Sequence, residues 1–251
     1  KGFTVFTGQT GSGKSIFSLL AIKLLSFSDS GWINRSIEQL NVFSPETHEK
    51  FENSSLKKTR GYVPITVQGS SSSLDIALCE ALLDATEYPA GMPSWASAEF
   101  IEDIKVTIET LETGLSGASL VIDLYQKAIG LAKAQGYKGL LVAVDEFGKF
   151  LERAAYKGSV VEIISSQYLA ELASNSPEAD LIYFTILHQG MGNYLRNLNE
   201  EQSNEWTKIQ GRFKPVEFTQ DEDGLYQLVA SSLTQTDSSS AQLNKWKSRV
   251  W

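Results

Sequence analysis

The stretch Gly8-Gln9-Thr10-Gly11-Ser12-Gly13-Lys14-Ser15 decides the fold of this chain, because it matches the pattern G-x-x-x-x-G-K-[ST] in full. Glycines let the backbone approach an anion closely and adopt the φ values that such a loop demands. The N–H groups of the loop and of a following helix would then face the anion. This stretch predicts a phosphate loop in which Lys14 contacts the β- and γ-phosphates and the Ser15 hydroxyl binds Mg²⁺.

The flanking residues supply the context that a phosphate loop requires, which is a strand before it and a helix after it. Phe3–Phe6 is a short β-prone run, and Ile16–Leu25 is a strongly apolar stretch of helical character. The alternative is a glycine-rich turn that matches the pattern by chance. The flanking pattern favours the phosphate loop.

A second segment, Leu140–Val144 followed by Asp145 and Glu146, is typical of a buried strand that ends in two carboxylates. Asp145 stands at the end of this strand. This position predicts that its carboxylate binds the water molecules around the Mg²⁺ ion near Ser15. A carboxylate one residue further on can orient and deprotonate an attacking water, which predicts a catalytic role for Glu146. The alternative for Glu146 is a solvated residue at a strand end.

An Asp followed directly by Glu at the end of such a strand resembles the additional-strand, catalytic-glutamate division of P-loop ATPases. That division includes the AAA+ and RecA-like proteins. The resemblance implies that the chain uses ATP as its nucleotide and Mg²⁺ as its metal cofactor.

Strands and helices alternate along the chain, which predicts an α/β fold. We expect a doubly wound, mostly parallel sheet of about five strands with helices on both faces. Further strands are predicted over residues 63–68, 181–187 and 215–218, and further helices from 44–46 onward and over residues 74–83, 120–134 and 160–173. The serine run Ser70–Ser73 predicts a loop that ends in a helix cap.

The domain organisation is predicted from composition along the chain. Residues 87–117 hold two prolines and an amphipathic stretch, and we expect an insertion or flap packed on the main sheet. Residues 1–220 are predicted to form the ATPase core, and residues 221–251 the start of a C-terminal lid or a linker. Because the chain enters its first strand almost at once from Lys1, we expect it to be a segment of a longer protein.

Four features follow one another along the chain: the phosphate loop, the strand that ends in Asp-Glu, a strand that ends in a polar pair, and an Arg before the last strand. Their order resembles that of AAA+ ATPases, and the resemblance covers nearly the whole chain. The strand that ends at His188-Gln189 would lie between the first strand and the Asp145 strand. The resemblance implies that His188 is the sensor of the γ-phosphate or the water, although that family more often carries Asn, Ser or Thr there. Thr185 is the other candidate, and a structural, hydrogen-bonded His is the alternative.

The segment Gly211–Phe218 resembles the Arg-Phe and apolar-strand pattern of AAA+ proteins. This implies that Arg212 is an arginine finger that reaches the nucleotide of a neighbouring protomer. Such a finger can raise the rate of hydrolysis by ~10³–10⁵. Such a role implies a homo-oligomer with nucleotide at the subunit interfaces. An Arg paired with a carboxylate at a helix end is the alternative. The lid of that family is truncated or irregular here, since residues 234–243 are rich in Ser, Thr and Gln.

Three segments, Gly139–Glu152, His188-Gln189 and Trp206–Phe213, are similar to ATPases of prokaryotic anti-phage defence systems. This closer resemblance implies effector or nucleic-acid partners on other domains of a longer parent chain.

The charge balance is acidic, with 22 Lys and Arg against 30 Asp and Glu and a formal net charge of −8. This balance disfavours a broad basic face along nucleic acid and leaves only local patches for such a contact. No apolar run approaches the ~18 residues that cross a bilayer, so no membrane partner is expected. The single cysteine, Cys79, lies in the predicted helix over residues 74–83 and is expected to pack on the face that is turned to the protein core. A cytoplasmic location is the default.

An oligomeric ATPase is the leading hypothesis, and a nucleotide-gated assembly or signalling switch with little turnover is the second. A GTPase is disfavoured because no Asn/Thr-Lys-x-Asp motif is present; Asn244-Lys245 is followed by Trp246 and Lys247. A small-molecule kinase stays open, although nothing in the sequence indicates an acceptor pocket.

Overall fold

The computed structural model of the chain describes residues 3–26, 37–38, 40–42, 44–70, 72–88, 94–114, 117–157, 163–176, 178–194 and 214–219. The chain divides into two compact units, Lys1–Phe218 and Thr219–Trp251. Every element described below belongs to the first unit. The predicted lid and Arg212 lie outside the described residues.

The core of the first unit is a parallel sheet of five strands, as the sequence predicts. The strands are β1 (Phe3–Thr7), β2 (Tyr62–Gln68), β3 (Gly139–Asp145), β4 (Leu181–Leu187) and β5 (Pro215–Glu217). Their order across the sheet is β2-β3-β4-β1-β5, and every neighbouring pair is parallel. The position of β4 between β1 and β3 confirms the expected place of the strand that ends before His188.

Burial explains why these runs form strands. The six residues of β3 from Gly139 to Val144 are all buried, as expected for a central parallel strand that is covered on both faces. Strand β2 lies at an edge and alternates instead, with Thr66 and Gln68 exposed. At the other edge, β5 is exposed along its whole length.

Helices pack on both faces of the sheet, which confirms the α/β layering. They are α1 (Lys14–Ser26), α2 (Pro45–Glu52), α3 (Leu74–Ala85), α4 (Ala98–Glu112), α5 (Ala118–Ala134), α6 (Gly148–Lys157), α7 (Ile164–Asn175) and the short α8 (Met191–Tyr194). One face, with Val63, Val142 and Tyr183, packs against α3, α5 and α7. The other, with Phe6, Leu141 and Phe184, packs against α1.

Local sequence signals explain several helix ends. The Ser73 side chain accepts a hydrogen bond from the Ile76 N–H and caps α3, so the serine run does end in a helix cap as predicted. Helix α4 lies within the predicted insertion, and it packs against α3 and α5 of the helical layer. Its buried residues Phe100 and Ile104 join the main core.

Helix α6 is an element that the sequence analysis did not predict. It starts three residues after Asp145 and buries Phe150, Leu151 and Ala154 at helical spacing. Among the described residues, none of the helices is both long and apolar enough for a membrane crossing.

Candidate functional site

Four neighbouring strands have their carboxyl ends on the same side of the sheet. This carboxyl edge is where ligands of parallel α/β sheets generally bind. Strand β1 leads into the predicted phosphate loop, and β3 ends at Asp145. Strand β2 ends at Gln68, which lies in register with Asp145. Strand β4 leads to His188.

Residues 8–13 form the loop between β1 and α1, as the motif predicts. Gly11 and Gly13 have φ values of +86° and +89°, a region that other residues rarely adopt. A side chain at either position would meet no atom within 4 Å, so backbone conformation and not crowding requires glycine there. Helix α1 begins at Lys14, with its first amides next to the loop.

The Lys14 side chain folds back onto the loop. Its Nζ donates hydrogen bonds to the carbonyl oxygens of Gly8 and Gln9, both at 2.7 Å, and to Ser12 Oγ at 3.1 Å. The residue is only 4% exposed, and burial lowers its pKa, an effect that the nearby Asp145 offsets only in part. Lys14 thus supplies a fixed positive charge at the loop.

Ser15 and Asp145 meet at this edge of the sheet. Ser15 Oγ donates a hydrogen bond of 3.2 Å to Asp145 Oδ2. The second carboxylate oxygen, Oδ1, accepts a hydrogen bond of 2.8 Å from the Glu146 N–H. The Asp145 carboxylate is therefore oriented by its neighbour and directed toward the first turn of α1.

These donors fit the metal that the sequence analysis implies. Mg²⁺ prefers oxygen ligands and is usually held by one or two protein groups together with substrate phosphates. The Ser15 hydroxyl and the Asp145 carboxylate are ligands of that kind. In the described part of the chain, no group of three or more His, Cys, Asp or Glu side chains could hold a metal. A Mg²⁺ ion at this pair would therefore need nucleotide oxygens and water as further ligands.

Glu146 occupies an unusual backbone conformation directly after β3. Its φ is +52°, which costs a residue other than glycine of order 1–3 kcal/mol. The turn is held by hydrogen bonds from the Phe147 N–H to the Ile186 carbonyl at 3.1 Å and from the Lys149 N–H to the Glu146 carbonyl at 3.0 Å. The surrounding structure thus fixes the direction in which the Glu146 side chain leaves the sheet.

Two side chains hold the Glu146 carboxylate. Lys149 Nζ donates to Glu146 Oε2 at 2.6 Å, and Gln68 Nε2 donates to the same oxygen at 3.1 Å. The hydrogen bond from Lys149 is the largest cause that lowers the pKa of Glu146, followed by the one from Gln68, with a smaller contribution from His188. Glu146 is therefore ionised at neutral pH, and its basicity is reduced.

Gly69 connects this arrangement to β2. Its N–H donates to the Asp145 carbonyl at 2.9 Å, and its own carbonyl accepts from Lys149 Nζ at 3.3 Å. A Cβ at residue 69 would lie 2.5 Å from the Glu146 carbonyl oxygen. Only glycine allows β2 and the Glu146 turn to approach this closely.

The two sensor candidates lie in different environments. His188 is exposed and close enough to Glu146 to lower its pKa. Thr185 is completely buried within β4, and its Oγ1 has no hydrogen-bond partner among the described residues. His188 is thus the candidate that lies at the site. Arg212, the predicted finger, falls outside the described residues.

The predicted site residues include the phosphate loop, Asp145 and Glu146, but not the residues that orient Glu146. Gln68 is a polar residue at the end of a predicted strand, and that signal was available. Lys149 follows Glu146 by three residues, a spacing that brings side chains together once α6 is recognised. Tyr194 was also missed; it packs against Gly148 and interacts with Gln189.

Comparisons of the chain with protein-family models, with curated proteins and with solved structures gave no match.

Proposed function

We propose that this chain binds and hydrolyses ATP with Mg²⁺ at the carboxyl edge of its sheet. The observation that carries the proposal is the hydrogen bond between Ser15 and Asp145, which joins the end of the glycine loop to the acidic strand. A glycine loop alone binds many anions, whereas a loop joined to a carboxylate at the end of a neighbouring strand is typical of sites for a metal–nucleotide complex.

Each residue of the site has a chemical role in this proposal. The loop amides and the N-terminus of α1 bind the phosphates. Lys14 exchanges its contacts with the loop carbonyls for contacts with phosphate oxygens, which carry a full charge. Bound Mg²⁺ would neutralise charge on the phosphates next to Ser15 and Asp145.

Glu146 is the proposed general base. It can accept a proton from water only when its carboxylate faces the water, and Lys149 and Gln68 hold that carboxylate at Oε2. Both contacts are made to Oε2 and lower the basicity of the carboxylate, so we expect turnover to rise if nucleotide binding weakens either of them. His188 lies near enough to influence the charge of this group and is the proposed sensor.

We assign the chain to the AAA+-like ATPases as part of this proposal. The strand order, in which β4 is inserted between β1 and β3, supports the additional-strand class. In this proposal the chain forms a homo-oligomer in which Arg212 reaches the nucleotide of a neighbouring protomer, and hydrolysis drives conformational change in an anti-phage defence assembly.

The direct test is phosphate release by the intact chain with Mg²⁺ and ATP. Lys14→Ala should abolish ATP binding, whereas Glu146→Gln should bind ATP and release no phosphate. Lys105→Ala, an exposed lysine on α4, is the matched control and should behave as the wild type. Wild-type turnover by Glu146→Gln would remove Glu146 from the mechanism.

Mixing experiments test whether Arg212 acts between protomers. Arg212→Ala and Glu146→Gln should each be inactive alone. A mixture of the two should regain activity, because some interfaces then combine an intact Glu146 with an intact Arg212. Failure to regain activity in verified mixed oligomers would place both residues on the same protomer or remove the finger role.

A nucleotide-gated switch with little turnover is the second candidate function. It is favoured by the two hydrogen bonds that hold the Glu146 carboxylate and reduce its basicity. Assembly with a non-hydrolysable ATP analogue, without measurable phosphate release from ATP, would favour the switch over the ATPase.

A further inference from the structure

Tyr194 is the last residue of the short helix α8, and it lies between two parts of the proposed site. Its side chain is half-buried and packs against the main core. Residues 188–190 join the end of β4 to α8, and α8 in turn contacts α6. Tyr194 therefore stands where the chain that leaves β4 meets the helix that starts just after Glu146.

The ring of Tyr194 is in close contact with the start of α6. A Cβ on Gly148, the first residue of that helix, would lie 2.6 Å from Tyr194 Oη and 2.7 Å from its Cζ. A side chain at residue 148 would displace the ring, so this contact requires glycine. Gly148 belongs to the turn that is closed by the hydrogen bond from the Lys149 N–H to the Glu146 carbonyl. The ring thus lies next to the turn that carries the proposed base.

The hydroxyl of Tyr194 is bound to the loop that follows β4. Burial and the nearby Glu152 raise the pKa of Tyr194. Hydrogen bonds from the backbone at His188 and Gln189, and from the Gln189 side chain, act in the opposite direction and lower this pKa. A partly buried phenol usually keeps such partners for its hydroxyl. One side chain therefore joins residues 188–189 to the start of α6.

The backbone makes a second link between β4 and this turn. The Phe147 N–H donates to the Ile186 carbonyl at 3.1 Å, and the Phe147 side chain is completely buried. That link ends inside β4, whereas His188 and Gln189 lie beyond the strand and are exposed. Tyr194 extends the connection to this exposed loop.

We propose that Tyr194 is a positioning residue that holds the His188-Gln189 loop against the start of α6 and so fixes the place of His188 relative to Glu146. The charge of His188 acts on the Glu146 carboxylate through space, so its effect depends on the distance that Tyr194 sets. Because protein interiors are closely packed, a movement of the loop reaches the turn through the same contact. This inference rests on the proposed function, in which Glu146 is the base and His188 the sensor.

The first variant is Tyr194→Phe, which removes the hydroxyl and keeps the ring on Gly148. Phosphate release by the intact chain should show a kcat reduced by about threefold to tenfold, as expected for the loss of one hydrogen bond. The KM for ATP should change by less than about twofold, because the phosphate loop is untouched. Tyr156→Phe is the matched control: it makes the same chemical change on α6 at a residue that is 93% exposed, and it should behave as the wild type.

The second variant reaches the same contact from α6. Gly148→Ala keeps the Tyr194 side chain and adds a Cβ that displaces its ring, so kcat should fall as in Tyr194→Phe. Gly130→Ala is its control, because a Cβ there would meet no atom within 4 Å, and it should leave kcat unchanged.

A double variant separates positioning from a purely structural role. In the His188→Ala background, Tyr194→Phe should lower kcat by less than about twofold, because the side chain through which Tyr194 acts is gone. If Tyr194 only stabilised the fold, its replacement would lower kcat by the same factor in both backgrounds.

NMR of the nucleotide-free chain tests the placement of His188 without any turnover. The chain contains two histidines, His48 and His188, so the imidazole Cε1–H region holds two signals, and His188→Ala assigns them. Tyr194→Phe and Gly148→Ala should each move the His188 signal. The signal of His48, which lies on α2, should stay fixed and serves as the internal reference.

The outcomes separate this inference from the proposed function and from a failure of folding. The inference is overturned by an unchanged His188 signal in Tyr194→Phe, by a wild-type kcat of that variant, or by an equal loss of kcat in the His188→Ala background. If the wild-type chain releases no phosphate from ATP, the proposed function fails, and the His188 signal alone then decides whether Tyr194 positions the loop. Circular dichroism and thermal unfolding are recorded for each variant, and if Gly148→Ala unfolds, the result of Tyr194→Phe decides.

Discussion

Ser15 and Asp145 are 130 positions apart in the chain, yet their side chains are joined by a hydrogen bond of 3.2 Å. Ser15 is the second residue of α1, and Asp145 is the last residue of β3. Strand β4 lies between β1 and β3, so the contact spans the carboxyl edge of the sheet. A glycine loop and an acidic strand are thereby combined into one oxygen-rich site.

Replacing Ser15 by Ala should abolish the response of ATP hydrolysis to Mg²⁺. The loss should exceed the ~10–100-fold that removal of an outer-shell partner of a metal site typically costs. Ser18→Ala is the matched control: Ser18 lies one turn further along α1, and its Oγ donates to the Lys14 carbonyl at 2.9 Å. Phosphate release measured against Mg²⁺ concentration gives the result, and equal loss in both variants would point to damage of α1.

The parts of the site that could be predicted from the sequence are those that depend on contiguous residues. The loop of residues 8–15 carries its conformation in its own glycines, and β3 carries its burial in an unbroken apolar run. Both therefore lie where the sequence placed them. The alternation of apolar runs and helical segments likewise predicted the parallel sheet.

The contacts of Glu146 could not be predicted in the same way, because they depend on how distant strands are aligned. Gln68 reaches Glu146 only because β2 pairs with β3 in a register that places Gln68 opposite Asp145. Lys149 reaches it because the chain turns at Glu146 with a positive φ and enters α6. Neither the register nor the turn leaves a periodic signal in the sequence.

Lys149→Met should move the acidic limb of the ATPase rate profile to higher pH. Lys149 is the main cause that lowers the pKa of Glu146, so its removal raises that pKa toward the usual value. A base must be ionised to act, and an ionised carboxylate is lost as the pH falls through its pKa. Rates measured from about pH 4 to about pH 8 test this prediction, because that range covers the usual pKa values of carboxyl and imidazole groups.

The control for that shift is Lys105→Met, which removes an exposed lysine of α4 and should leave the profile unchanged. A profile of Lys149→Met that coincides with the wild type would show that Glu146 does not set the acidic limb. A shift to lower pH would contradict the electrostatic argument itself.

Gly69→Ala should reduce both stability and turnover. The added Cβ would lie 2.5 Å from the Glu146 carbonyl oxygen and 2.8 Å from the Glu146 Cβ. The turn must shift to relieve this contact, at a cost of about 1–3 kcal/mol in the free energy of unfolding. Urea unfolding and phosphate release are the two measurements.

Gly130→Ala is the control for Gly69→Ala, because it adds a Cβ at a glycine that has open space around it. Gly130 lies within α5, and a Cβ there would meet no atom within 4 Å. Because alanine has less backbone freedom to lose in a helix, this change should stabilise the protein by about 0.5–1 kcal/mol and leave turnover unchanged. Similar effects of the two substitutions would show that crowding at Glu146 is unimportant.

Cys79 should resist thiol reagents in the folded protein. Its side chain is completely buried in α3, as the sequence predicts, and burial raises the pKa of the thiol to about 12. Since the thiolate is the reactive form, this pKa leaves on the order of 10³-fold less of it at pH 7 than for a free cysteine. Labelling with a disulfide reagent should therefore proceed only through unfolding, at a rate that rises with urea and approaches that of a free thiol in the unfolded chain. Rapid labelling without denaturant would show that α3 opens locally, and the packing between α3 and β2 would then not be the rigid support that places Gln68 beside Glu146.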